Sequence, residues 1–270
     1  MSEVIGLKGP WLDLVEDCRS LGPVGLYNRN HAASLTTVGV IPRLENLEDN
    51  CAADDSGDLM VDFGQWRRVQ ARRIGIHREI SVLDPSCRQC FGVQSTCGTQ
   101  HALLDQVLSR YHKRTDGLAQ DPAASSLAPW NEEFHRRIDR LQSLTTPYRP
   151  TPVQLESLFQ TALELQFPMR VATMNRVACL RSTARFSRVI RRSDHIRVES
   201  AEVVLEFEPR QAATAWIVEE PAISYDETQW SLEFYDHDGF FCLSLRASND
   251  EHEMLWQETL ARTIPCELNC

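Results

Sequence analysis

The chain has 270 residues, 42% of them hydrophobic, and a formal net charge of −10. That length suits one large domain or two modest ones, and the acidic balance argues against nucleic acid or an anionic membrane as the main partner. No apolar run approaches the roughly 20 residues that span a bilayer. The opening stretch MSEVIGLKGPWLDLVEDC has neither a basic n-region nor an apolar h-region, so no secretory signal is expected and the cytoplasm is the expected location. Nine cysteines in no regular framework fit free, buried thiols in a reducing compartment.

In chain order, residues 10–20 read as a short helix, with Pro10 suited to a first helical turn. SLGPVGLYNRNHAASLTTVGVIPRLENL follows as two or three strands turning near Asn28-Arg29-Asn30. The small, acidic stretch from Asp49 to Asp58 reads as a loop. Strands are expected at 59–63 and 79–83, with a turn at Asp84-Pro85-Ser86 and a return over 91–95. Leu103, Leu104, Val107, Leu108 and Tyr111 then recur at helical spacing.

Residues 115–129, rich in Ala, Ser, Asp and Pro, mark a boundary. Beyond it, Trp130, Phe134, Ile138, Leu141 and Leu144 form one helical stripe. Thr151 opens another helix with two local signals: Pro152 at the first position and Gln154 completing a capping box. Residues 201–248 carry four strands: Val203, Leu205 and Phe207 alternate with acids, Ala215 to Val218 is apolar, and Leu232 to Tyr235 is followed by Phe240 to Leu245 around Asp236-His237-Asp238-Gly239. A closing helix over 249–262 is expected to place Met254, Leu255 and Leu260 on one side.

The two strand-rich regions lie on one another. Asn30, Ala33 and Leu35 coincide with Asn175, Ala178 and Leu180; residues 59–63 fall on 203–207; residues 80–84 fall on 232–236; Cys90 falls on Cys242. A period this long is no solenoid. The fold class it indicates is α+β, a tandem repeat of two mainly antiparallel sheet-plus-helix halves. The halves are residues 1–114 and 167–270, with linker and helices at 115–166.

Specific residues then carry a family resemblance. Ala213-Thr214-Ala215-Trp216-Ile217-Val218, Pro221 and Ser231-Leu232-Glu233-Phe234-Tyr235-Asp236-His237-Asp238-Gly239 resemble the C-terminal half of HemS/ChuX-type haem-utilisation proteins, as does Arg246 ten residues before Trp256. Leu21-Gly22-Pro23-Val24, Arg29-Asn30, Ala33, Gly39 and Trp66 resemble the N-terminal half more loosely. The resemblance implies cytoplasmic haem binding and trafficking, with haem degradation releasing iron in two-half members. It implies haem as the ligand, and an electron-donating reductase and a haem importer as partners. It also implies an iron-ligating histidine in the inter-half helical region, here His135 with Ile138 and Leu141 behind it. The family's first-half V-H-E is Ser34-Leu35-Thr36 here, so that histidine is absent.

Each candidate has a plainer reading. His135 borders an apolar stripe and, apart from the resemblance, reads as an ordinary helix histidine; His195, His237 and Tyr225 are rival ligands, His237 in a turn that favours solvent. Arginine suits carboxylate recognition, as of haem propionates. Arg246 has the motif's place, while Arg176 and Arg29 read as equivalent positions of the two copies. The arginines over 170–197 line either a cleft for an anion or solvated strand faces. Cys87-Arg88-Gln89-Cys90 lacks the second pair a structural zinc needs. No phosphate loop, GxSxG elbow or HExxH is present. A haem carrier without catalysis and a divergent scaffold of the same fold that binds something else are the alternatives.

Overall fold

The computed structural model of the chain describes residues 3–47, 50–112, 136–141, 147–221 and 228–264. It divides into two compact units, each built from one copy of the repeat and one short segment of the other. The first is Met1–Arg29, Thr36–Ala128 and Asn175–Leu180; the second is Asn30–Leu35, Pro129–Met174 and Arg181–Cys270.

In the first unit, strands run in the order β1 (Glu3–Leu7), β7 (Arg68–Ile74), β8 (His77–Leu83), β9 (Gln89–Ser95), β2 (Val24–Arg29). A shorter run joins β4 (Glu45–Asn46), β5 (Cys51–Ala53) and β6 (Leu59–Asp62). The imported segment pairs with β6, Ala178 opposite Val61 and Leu180 opposite Leu59. Helices α1 (Trp11–Arg19) and α2 (His101–Tyr111) pack on each other. They bury Leu14, Val15 and Cys18 from one and Leu104, Val107, Leu108 and Tyr111 from the other. Trp66 gathers Trp11, Phe63 and Phe91 at centroid distances of 6.0, 5.0 and 5.6 Å.

The second unit repeats the plan. β15 (Thr214–Pro221), β16 (Thr228–Tyr235), β17 (Phe241–Ala247) and β10 (Met169–Met174) form one antiparallel run. β12 (Arg188–Arg192), β13 (His195–Glu199) and β14 (Val203–Phe207) form the other. β3 (Ala33–Gly39) and β11 (Ala178–Ala184) are the strands whose first residues are exchanged between the units. Helix α3 (Pro152–Glu164) packs on β12 and β13 and on α4 (Glu253–Thr263).

The capping box forms as its sequence requires: the Thr151 hydroxyl accepts from the Gln154 amide at 3.2 Å, and the Gln154 side chain accepts from the Thr151 amide at 2.8 Å. Leu155, Leu158, Phe159 and Ala162 are the buried face that follows.

The structure departs from the sequence expectation at three places. β5 lies inside the stretch read as a loop, because Cys51 finds a partner in Asp62. β1 was not legible, since five residues become a strand only through β7, Glu3 opposite Arg73 to Leu7 opposite Val69. On α4 the buried residues are Glu253, Trp256, Thr259 and Leu260, while Met254 is 81% exposed. Two residues before Trp256 is about 200° around the helix, so Met254 faces away from the stripe that Trp256 and Leu260 share. Among the described residues no helix is long and apolar enough to cross a membrane.

Candidate functional site

The repeat turns on two asparagines. Asn30 Oδ1 accepts from the amides of Ala32 and Ala33 at 2.9 and 2.8 Å, while its Nδ2 donates to the carbonyls of Met174 and Cys242 at 2.9 and 2.7 Å. Asn175 Oδ1 accepts from Val177 and Ala178 at 2.8 and 3.0 Å, and its Nδ2 donates to the carbonyls of Arg29 and Cys90 at 2.9 and 2.7 Å. This matching fixes the alignment: Arg29 corresponds to Met174, and Arg176 to His31. Arg29 and Arg176 are therefore not equivalent positions. They are exposed neighbours of one junction in the first unit, brought together through Asn175.

The second unit's sheet has two unlike faces. On one, Leu232 and Phe234 of β16 and Leu243 and Leu245 of β17 are buried, and α4 packs against both strands. Trp256 Nε1 donates to the Trp230 carbonyl at 2.8 Å. On the other, the register puts Ser231 beside Arg246 and Glu233 beside Ser244, with Arg170 of β10 directly opposite Arg246. Val218 and Trp216 of β15 complete this face beside Ser231 and Glu233. Arg246 and Arg170 are half-buried, and Arg246 Nη1 donates to Gln229 Oε1 at 3.1 Å. Like charges directly opposite on neighbouring strands repel.

The helical residues 136–141 engage the same face. Arg137 Nη1 meets Glu233 Oε1 at 2.7 Å, with Glu233 only 4% exposed. Glu233 also accepts from Tyr235 Oη at 2.5 Å and Ser231 Oγ at 3.2 Å. A buried carboxylate needs such partners to stay ionised. Ile138 is buried as well. His135 lies outside the described residues, but it is the residue immediately before this anchored turn. Tyr225, a rival ligand, also lies outside them.

The other candidates stand as follows. His237 is exposed in its turn. His195 has Glu206 and Glu208 within 4.0 and 3.8 Å. The arginines around it are ion-paired on strand faces: Arg191 with Glu156 at 2.5 Å, Arg197 with Glu199 and Glu206. Those acids come from outside the arginine-rich segment, which is why the segment looked unbalanced in sequence. Cys87 is exposed at φ 61°, the left-handed place that Gly239 takes at φ 77° in the equivalent hairpin. Cys90 is buried, which pushes its thiol up to about 12. Sequence reasoning missed Arg137 and Glu233, and took Arg170 only as one of the arginines over 170–197. Alternation of Ser231 and Glu233 with Leu232 and Phe234 was a visible signal for a polar face; the register setting Arg170 against Arg246 was not.

Comparison with known proteins defines the class. Residues 140–263 match the family model described as the haemin-degrading HemS/ChuX domain. The fold of nearly the whole chain is that of two solved proteins. E. coli ChuS, described as a heme oxygenase, aligns over 97% of this chain and 89% of its own, with TM-score 0.76 and 18% identity. PhuS, a heme-binding protein from Pseudomonas aeruginosa, aligns in its holo form over 95% of this chain and 86% of its own, with TM-score 0.78 and 19% identity. Residues 140–263 thus match the HemS/ChuX domain, and nearly the whole chain has the two-half fold of ChuS and PhuS. A search of curated proteins finds no match to the sequence.

Proposed function

We propose that this protein binds haem and works in haem and iron utilisation, receiving haem in the cytoplasm and passing it on. The observation that carries the reading is the half-buried pair Arg170 and Arg246 set directly opposite each other on one sheet face. Guanidinium suits planar carboxylates such as the two propionates of haem. The anchored turn at 136–141 occupies that face through Arg137 and Glu233, and His135 directly before it is the proposed iron ligand.

Arg246 and Arg170 would hold the propionates and His135 the iron. Bound haem supplies the redox-active iron. The chain's own part is to hold the carboxylates, orient the imidazole and shield the ring with Trp216 and Val218. Haem degradation with release of iron is proposed as a further step, with electrons from an external reductase and haem delivered by an importer.

The test is an absorption titration with haemin, followed by ascorbate in air. Saturable binding with a shifted Soret band supports the reading. Loss of that band with iron release on reduction adds degradation, and a persistent band leaves a carrier. No saturable binding leaves a divergent scaffold of the same fold.

A further inference from the structure

Away from the arginine face, the second unit gathers His31, Asp236 and Cys242, with one ligating atom of each lying within 4.8 Å of the others. Three backbone devices converge here. Asn30 Nδ2 holds the Cys242 carbonyl at 2.7 Å, and so carries the next residue, His31, to the start of β17. Asp236 follows β16 and uses only Oδ1 for its turn, accepting from Asp238 and Phe240 amides at 2.8 Å each. That leaves Oδ2 directed at His31 Nδ1, 4.0 Å away.

The third device fixes the imidazole. His31 Nε2 lies 3.0 Å from the Gln211 carbonyl oxygen. A carbonyl only accepts, so Nε2 bears a proton, and in the neutral imidazole the lone pair is then on Nδ1, facing the carboxylate. An imidazole nitrogen facing a carboxylate oxygen and a sulfur, with its other nitrogen donating to a backbone carbonyl, is the usual arrangement of a metal-ligating histidine.

We infer that His31 Nδ1, Asp236 Oδ2 and Cys242 Sγ form a binding site for a divalent transition-metal ion of zinc type, distinct from the haem iron. A mixed N, O and S set suits zinc and its neighbours rather than magnesium or calcium. Tetrahedral bonds of about 2.0–2.3 Å set ligands about 3.3–3.8 Å apart, so atoms up to 4.8 Å apart close in by up to about 1.3 Å for the pairs with sulfur. Exposed His31 has the freedom to do so. Three protein ligands leave a fourth position for water. On binding, the Cys242 thiol loses its proton to solvent and sulfur bonds the metal; no electron is transferred.

The repeat supplies an internal control. The matching hairpin has Asp84 accepting from the Arg88 amide at 2.9 Å and buried Cys90, but Arg176 stands where His31 does. Guanidinium offers no lone pair to a metal. The ligand set therefore exists in one copy only.

The test uses the haem-free full chain with Cys87 and Cys97, both exposed, changed to alanine, titrated with Co2+ and then Zn2+. Expected are one equivalent of cobalt with a thiolate-to-metal charge-transfer band, displacement by zinc, and about one proton released per zinc in weak buffer. His31→Ala, an exposed change that leaves the fold intact, should weaken zinc binding at least tenfold and abolish the band, and Cys242→Ser should abolish the proton release. Retention of the band and of zinc affinity in His31→Ala overturns the site. So does absence of the band in the parent, which leaves the cluster as an ion pair of His31 with Asp236.

Discussion

Asn30 and Asn175 make the same four contacts in opposite units: each accepts two amides of its own turn and donates to two carbonyls of the unit it has entered. For Asn30 this uses every donor and acceptor an amide side chain has. Asn30→Ala leaves two carbonyls and two amides short of a partner, and should cost about 2–3 kcal/mol by urea unfolding. Asn30→Asp should cost more, since it turns the donating group into an acceptor facing two carbonyls.

The hairpins show the repeat in another way. Cys87 holds φ 61° where Gly239 holds 77°. A side chain in the left-handed region costs about 1–2 kcal/mol, and glycine gives back part of that through its freer unfolded chain. Cys87→Gly should therefore raise stability by about 0.5–1 kcal/mol in thermal or urea unfolding, without touching any proposed ligand.

Much of this was legible because it is local or because the chain states it twice. Thr151, Pro152 and Gln154 specify a helix start within four residues, and the structure closes that box. The repeat marked Asn30 and Asn175 as a pair before any contact was known. The exchange of segments was not legible, because sequence similarity aligns the copies without saying which unit a strand joins. Arg170 facing Arg246, and His31 meeting Asp236 and Cys242, depend on register and on that exchange. Met254 shows the limit inside one helix: apolar character alone misplaced it, whereas the spacing of Trp256 and Leu260 defined the buried side.

Arg137 and Glu233 form a nearly buried ion pair. Removing one partner strands a charge, so Arg137→Met should destabilise by about 3–5 kcal/mol, while Arg137→Met with Glu233→Leu should recover most of that loss. A double-mutant cycle in urea checks it. The pair also anchors residues 136–141, which directly follow His135 in sequence, so the double variant should keep its stability yet show an altered haem spectrum.

Asp105 reports on pH. Its hydrogen bond from Arg78, whose Nε lies 2.9 Å from Oδ1, holds the carboxyl below the usual carboxylate range. A folded pKa below the unfolded value of about 3.9 gives stability that is present above that value and lost as pH falls through the folded one. Asp105→Asn should thus lower stability at pH 7, modestly since the side chain is half exposed. The two proteins should converge once pH has fallen below the folded value, as parallel unfolding experiments down the acid range would show.

The arginine pair gives the sharpest separation between haem binding and mere folding. Arg170 and Arg246 stand opposite each other on adjacent strands, where like charges disfavour each other, so removing one should change the stability of the haem-free protein by no more than about 1 kcal/mol. The same change should weaken haem binding about tenfold or more, because a charge-assisted contact to a propionate is worth about 1.5–3 kcal/mol. A structural arginine would show the reverse, lost stability with unchanged haem affinity. Arg246→Ala and Arg170→Ala should leave the iron's spin state as in the parent, since neither touches iron. His135→Ala should instead change the Soret and charge-transfer bands as well as affinity, because the axial ligand sets the iron's electronic environment. If His135→Ala keeps the parent spectrum while both arginine variants lose affinity, the propionate site stands, and His195 or Tyr225 becomes the ligand to test.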